Sequence, residues 1–159
     1  MGNKGGYEMN NLSKFTKFLV KAKQNTYYSR GKSESFSRPN SKDYAFKMYD
    51  YYYLDSYLGN KDFIGEEIVW QNEKVFWGMN YNGQLLVDDY PHGFSKFLKE
   101  ALKNVNEDSP FRGPKKFKQN DFTYECSWDG DIDFFNGSET IKHNDQKIFK
   151  LNFHGGFLK

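Results

Sequence analysis

Four short segments rich in aromatic and β-branched residues follow one another at Tyr44 to Tyr49, Tyr51 to Leu58, Phe63 to Trp70 and Val75 to Tyr81. The breaks between them (Asp50, Gly59 to Asp62, Gln71 to Lys74) are turn-like, so the segments read as neighbouring antiparallel strands. A second set is expected at Phe122 to Trp128, Asp131 to Phe135, Ser138 to His143 and Lys147 to His154, with hairpin turns at Asp129-Gly130 and Asn136-Gly137. Each set follows an apolar stripe at helical spacing. Leu12, Phe15, Phe18, Leu19 and Ala22 precede the first, and Phe94, Phe97, Leu98, Ala101, Leu102 and Val105 precede the second. The expected fold is therefore α+β: an antiparallel sheet of about eight strands in two helix-plus-four-strand halves, with two main helices packed on it. The matching order points to an internal duplication, although no residue-level repeat stands out.

Residues 1–11 read as a disordered, glycine-containing tail and residues 12–159 as a single globular domain. A chain of this length buries roughly 70% of the surface it exposes when unfolded, enough for a core without staples. No apolar run is long enough for a membrane span or a cleavable leader, so a cytoplasmic protein is expected. One cysteine, Cys126, allows neither an internal disulfide nor a cysteine-based zinc site, and its place in a strand points to burial. His92, His143 and His154 are scattered, and neither a phosphate-binding GxxxxGK[ST] loop nor a GxGxxG turn is present, so no metal or cofactor is expected. The net charge is only +2, and the 23 basic residues include just three arginines, which argues against sequence-specific nucleic-acid binding. Self-association is left open.

That scarcity gives weight to Arg30, Arg38 and Arg112, all in loops beside Gly or Pro. In a strand, Tyr51, Tyr53, Asp55 and Tyr57 share one face, a row of phenols around a carboxylate, while Tyr52, Leu54, Ser56 and Leu58 share the face that suits the core. The first row is either a half-exposed strand face or a stacking wall for a planar ligand. Adjacent Glu66 and Glu67 force at least one carboxylate among large apolar groups, either in a salt bridge or with a raised pKa. Trp77, Asn80 and Tyr81 lie in a strand interrupted by Gly78, which marks close approach of a backbone or ligand. Arg112, in Pro110-Phe111-Arg112-Gly113-Pro114, suits a phosphate or carboxylate, or equally a set of loop carbonyls. His154, at a strand end beside Gly155-Gly156, is either an acid-base group or a hydrogen-bonded edge residue.

The stretches KFLVKAKQNTY (17–27), RPNSKDY (38–44), YLDSYLGNKDFIGEEIVW (53–70), WGMNYNG (77–83), FRGP (111–114) and FHGG (153–156) together resemble a bacterial domain of unknown function. That domain is found alone or fused behind a helix-turn-helix in Xre-type regulators, and the resemblance implies a sensing domain. It carries no assigned activity or catalytic residues to transfer. The reading that follows is a non-catalytic binder of a nucleotide-like or other planar anionic ligand. Tyr53, Asp55, Tyr57, Glu66, Glu67, Trp77, Asn80, Tyr81, Arg38, Arg112 and His154 are its candidate contacts. The alternatives are a metal-independent hydrolase of a nucleotide or sugar using Glu66, Glu67 and His154, and a protein–protein interaction module.

Overall fold

In the computed structural model, which describes residues 4–28 and 36–159, both runs of strands join one sheet. Helix α1 (Lys4–Tyr28) leads into β1 (Lys42–Met48), β2 (Tyr51–Gly59), β3 (Phe63–Gln71) and β4 (Lys74–Leu85). Helix α2 (Phe94–Leu102) leads into β5 (Lys116–Gln119), β6 (Phe122–Asp131), β7 (Phe134–His143) and β8 (Gln146–Phe157). The strand order is β1-β2-β3-β4-β8-β7-β6-β5 and every pairing is antiparallel, so each half is a meander and β4 meets β8 at the centre.

Both helices bury an apolar stripe in the core shared with the sheet. Phe94, Phe97, Ala101 and Leu102 of α2 are buried while Lys96 and Lys99 face water, and Phe15, Phe18, Leu19 and Ala22 do the same work in α1. Each ring contributes about 2 kcal/mol on burial. Helix α1 begins at Lys4 rather than at Leu12, so residues 4–11 of the expected tail are helical. Met9 and Leu12 are exposed, and exposed apolar residues give no core-facing period to read. No helix among the described residues is long and apolar enough to cross a membrane.

The second meander differs from expectation in its turns. Asp129 and Asn136 face each other across β6 and β7, and the chain reverses at Ile132-Asp133 instead. Gly137 is a packing glycine, since a Cβ there would run into the Phe153 ring and the Ser127 carbonyl. The expected loop before Phe122 contains a further strand, β5, which is short and polar and so carries little alternation.

With the strands in register, a repeat at residue level becomes visible. Phe63, Gly65, Glu67, Asn72, Asn80 and Gly83 recur 72 residues later as Phe135, Gly137, Glu139, Asn144, Asn152 and Gly155. Pairing agrees, because Glu67 faces Met79 and Glu139 faces Leu151, partners that are also 72 apart. The β3–β4 turn holds Asn72 and Glu73 at φ 49° and 64°, and the β7–β8 turn holds Asn144 and Asp145 at 49° and 63°. Two successive positive φ values define the type I′ hairpin turn, whose twist matches the strands. Tyr81 crosses Gly65 as Phe153 crosses Gly137, leaving no room for a Cβ at either glycine. In the helices, Phe15, Lys17, Phe18, Leu19 and Ala22 recur 79 residues later as Phe94, Lys96, Phe97, Leu98 and Ala101. The change of offset from 79 to 72 between helix and strands hides the repeat from inspection of the sequence.

Candidate functional site

The alternation of β2 is the reverse of the expected one. Tyr51, Tyr53 and Asp55 are buried on the helix-covered face, and Tyr52 is exposed. Rings bury more area than Leu54 and Leu58, and Tyr51 stacks on Phe18 of α1 at 4.8 Å. This orientation carries Asp55 into the core directly opposite Glu67 of β3.

Cations reach both buried glutamates. Lys23 of α1 pairs with Glu67 and donates to the Phe111 carbonyl at 2.7 Å, and the Tyr27 hydroxyl donates to Glu67 at 3.4 Å. Arg112 donates through Nε and Nη2 to the two oxygens of Glu139 at 3.2 and 3.0 Å, and the Tyr124 hydroxyl donates to Glu139 at 2.6 Å. Asp55 is left over. It accepts from the Tyr81 hydroxyl at 2.5 Å and has no ion pair among the described residues. Burial, reinforced by the charge of Glu67, pushes its carboxyl up to about 7, against the pull of Tyr81, Arg112 and Lys23. Burial likewise lowers the Lys23 pKa and raises those of Tyr27, Tyr53 and Tyr81. The Tyr53 hydroxyl is buried with no hydrogen-bond partner among the described residues.

Asp55 opens onto a cleft of about 330 Å³, bounded by β1, β2, α1 and α2. One wall is the stacked pair Tyr44–Tyr57, with planes 12° apart, and the other is Tyr90–Phe94, with centroids at 4.6 Å. Phe63 and Tyr81 line it as well, along with Arg112. Lys42 and Lys99 also line it, neither in an ion pair among the described residues, and the Lys42 ammonium lies 5.3 Å from the centre of the Tyr57 ring.

The sequence candidates thus separate onto two faces. Asp55, Tyr57, Tyr81 and Arg112 converge on the cleft, with Tyr53 and Glu67 buried behind it. Arg112 is a strut, since two of its nitrogens are committed to Glu139. Trp77 is core, its indole donating to the Ile132 carbonyl at 3.0 Å. Arg38 donates to the carbonyl and hydroxyl of Ser56 at 2.8 Å, away from the cleft, and Arg30 lies outside the described residues. Glu66, Asn80 and His154 form one cross-strand row on the outer face, all exposed. Glu67 and His154 are therefore on opposite sides of the sheet, and Glu66 and His154 are two strands apart, roughly 10 Å. That outer face carries a larger, open depression of about 1220 Å³ lined by Asn80, Asn82, Asn136, Asn152 and His154, with neither paired aromatic walls nor a buried charge.

Residues that the sequence reading passed over include Lys23, Tyr27, Glu139 and Tyr124 of the buried network. Lys23 follows Leu19 by four residues within the apolar stripe of α1, and Glu139 alternates with Phe135 and Ile141, so both were detectable as charges at core positions. Cys126 is buried and its thiol is pushed up to about 12, the reverse of an activated nucleophile. No cluster of three or more metal-ligating side chains occurs among the described residues.

Residues 55–158 match the family model described as a domain of unknown function, DUF5680, and the chain belongs to that family. Neither the curated proteins nor the solved structures give a match.

Proposed function

We propose that this protein is a non-catalytic receptor for a planar, anionic small molecule of about nucleotide size, held in the cleft beside Asp55. The observation that carries the reading comes from the other half of the molecule. Register places Trp128, Phe135 and Phe153 where the first half has Tyr57, Phe63 and Tyr81. Against those three rings the second half packs its own Phe111, at 5.3, 4.4 and 6.0 Å. Around Tyr57, Phe63 and Tyr81 there is instead an open cleft. Phe36, the aromatic residue that precedes β1 much as Phe111 precedes β5, is 71% exposed. A flat ring supplied from outside would satisfy the same walls, and base–aromatic stacking is worth about 1–3 kcal/mol per base.

Lys42 and Lys99 take over the anion-binding role that the sequence reading gave to Arg112. Holding rather than cleaving is favoured because none of the three histidines lines the cleft beside Asp55. Glu66 and His154 lie across the sheet, and the cleft tyrosines Tyr27, Tyr57 and Tyr81 are pushed above their ordinary range. The test is calorimetric titration of the full chain with nucleoside monophosphates, followed by heat denaturation and recovery of the ligand. The expected result is saturable binding, weakened by Tyr57→Ala and by the pair Lys42→Glu and Lys99→Glu, with the ligand returned intact. Recovery of a cleaved product would establish a hydrolase instead.

A further inference from the structure

The charge inventory around Asp55 specifies which ring edge the cleft reads. The groups facing Asp55 come from every neighbouring element. Glu67 is on β3, Tyr81 on β4, Lys23 and Tyr27 on α1, Tyr53 and Tyr57 on β2, Arg112 on the loop before β5, and across the cleft Tyr44 and Lys42 on β1 and Lys99 on α2. The two buried cations that act on Asp55 are already taken, Lys23 by Glu67 and Arg112 by Glu139, and Lys42 and Lys99 stand at the exposed rim of the cleft. Among the described residues Asp55 receives one hydrogen bond, from the Tyr81 hydroxyl to Oδ1. A carboxylate accepts about four hydrogen bonds, so most of its capacity is unused at the floor of an aromatic cleft. The hydroxyl of Tyr53, two residues along the same strand face, is also unused. Among the described residues Asp55 is therefore a carboxylate without an ion pair where a stacked ring would end.

We infer that the cleft selects heterocycles whose edge presents two adjacent N–H donors, as guanine does with its ring N–H and exocyclic amine, over edges that pair a donor with an acceptor, as adenine and cytosine do. Two parallel N–H···O bonds to Asp55 would supply the missing compensation, and a hydrogen-bonded carboxylate reads such an edge with geometric specificity. The second half has Cys126 at the matching position, across from Glu139, and fills the space with the apolar Phe111 ring. This inference rests on the ligand-binding reading above.

The closing experiment titrates the full chain with GMP, AMP, CMP and UMP at pH 6, 7 and 8. GMP is expected to bind tighter than AMP by on the order of tenfold or more. The GMP-to-AMP affinity ratio is expected to rise with pH as Asp55 loses its proton, and the ratio cancels titration of the phosphate itself. Asp55→Asn should bring the ratio to within about threefold while the melting temperature shows the variant folded. If all four nucleotides bind alike, or Asp55→Asn keeps the preference, the inference falls and the receptor reading stands. If none binds, both fall. Should Asp55→Asn not fold, the wild-type ratio decides, and a ratio independent of pH overturns the inference.

Discussion

On its core face the first half carries two carboxylates, Asp55 and Glu67, where the second half carries one, Glu139. What the halves share is scaffold: the helix stripe, the type I′ turn, the glycines crossed by aromatic rings, and the buried glutamate held by a cation. What differs is confined to a few side chains. Cys126, Phe153 and Trp128 of the second half stand at the positions of Asp55, Tyr81 and Tyr57, and Phe111 occupies the space that the first half leaves open. The second half serves as an internal control, because the same framework closes without an aspartate or a cleft. Asp55 and Tyr81 are not required by the architecture, and in the receptor proposed above their polarity serves the ligand.

The comparison is broken hardest at the shared glutamates. Glu139→Ala strands the Arg112 guanidinium in the core, and a loss of about 3–5 kcal/mol in urea unfolding is expected. A loss below about 1 kcal/mol would show that Glu139 is not structural and would end its equivalence with Glu67.

Next comes pH. The folded-state pKa of Asp55, about 7, lies above its unfolded value of about 3.9, so the folded protein favours the protonated form. Its contribution is therefore full below about pH 4 and declines as pH rises through about 7, by at most about 4 kcal/mol. Asp55→Asn should flatten that decline and be more stable than the parent at pH 8, as measured by denaturant titration across pH. A parallel decline in both proteins would remove Asp55 as its source.

Gly65→Ala and Gly137→Ala test the shared crossings. Each Cβ meets a ring, Tyr81 or Phe153, so each variant should lose about 1–3 kcal/mol, Gly137→Ala the more because its Cβ also meets the Ser127 carbonyl. Only Gly65→Ala should also weaken ligand binding, because only its ring lines the cleft. The smallest effect belongs to the outer face. His154→Ala and Glu66→Gln should shift stability by less than about 0.5 kcal/mol and leave binding unchanged, and a binding loss in either would move the site across the sheet.

Sequence alone determined the α+β class, the two apolar helix stripes, the β1 to β4 segments and the turn-bounded order of two like halves. These follow from local period and turn chemistry, which need no partner strand to be read. Tertiary structure decided everything that depends on pairing or on which face is covered. Alternation showed that Tyr53, Asp55 and Tyr57 share a side, but only the helices packed on that side made it the core. Adjacent Glu66 and Glu67 announced one buried carboxylate, and register with Met79 and Asp55 identified it as Glu67. Arg112 was conspicuous as a rare residue, yet its commitment to Glu139 rests on a contact between a loop and a strand 27 residues later. The cleft itself is built from α1, β1, β2, β4, α2 and the segments between them. No period in the chain encodes such a meeting, because it exists only once the core-facing sides of both halves have been buried together.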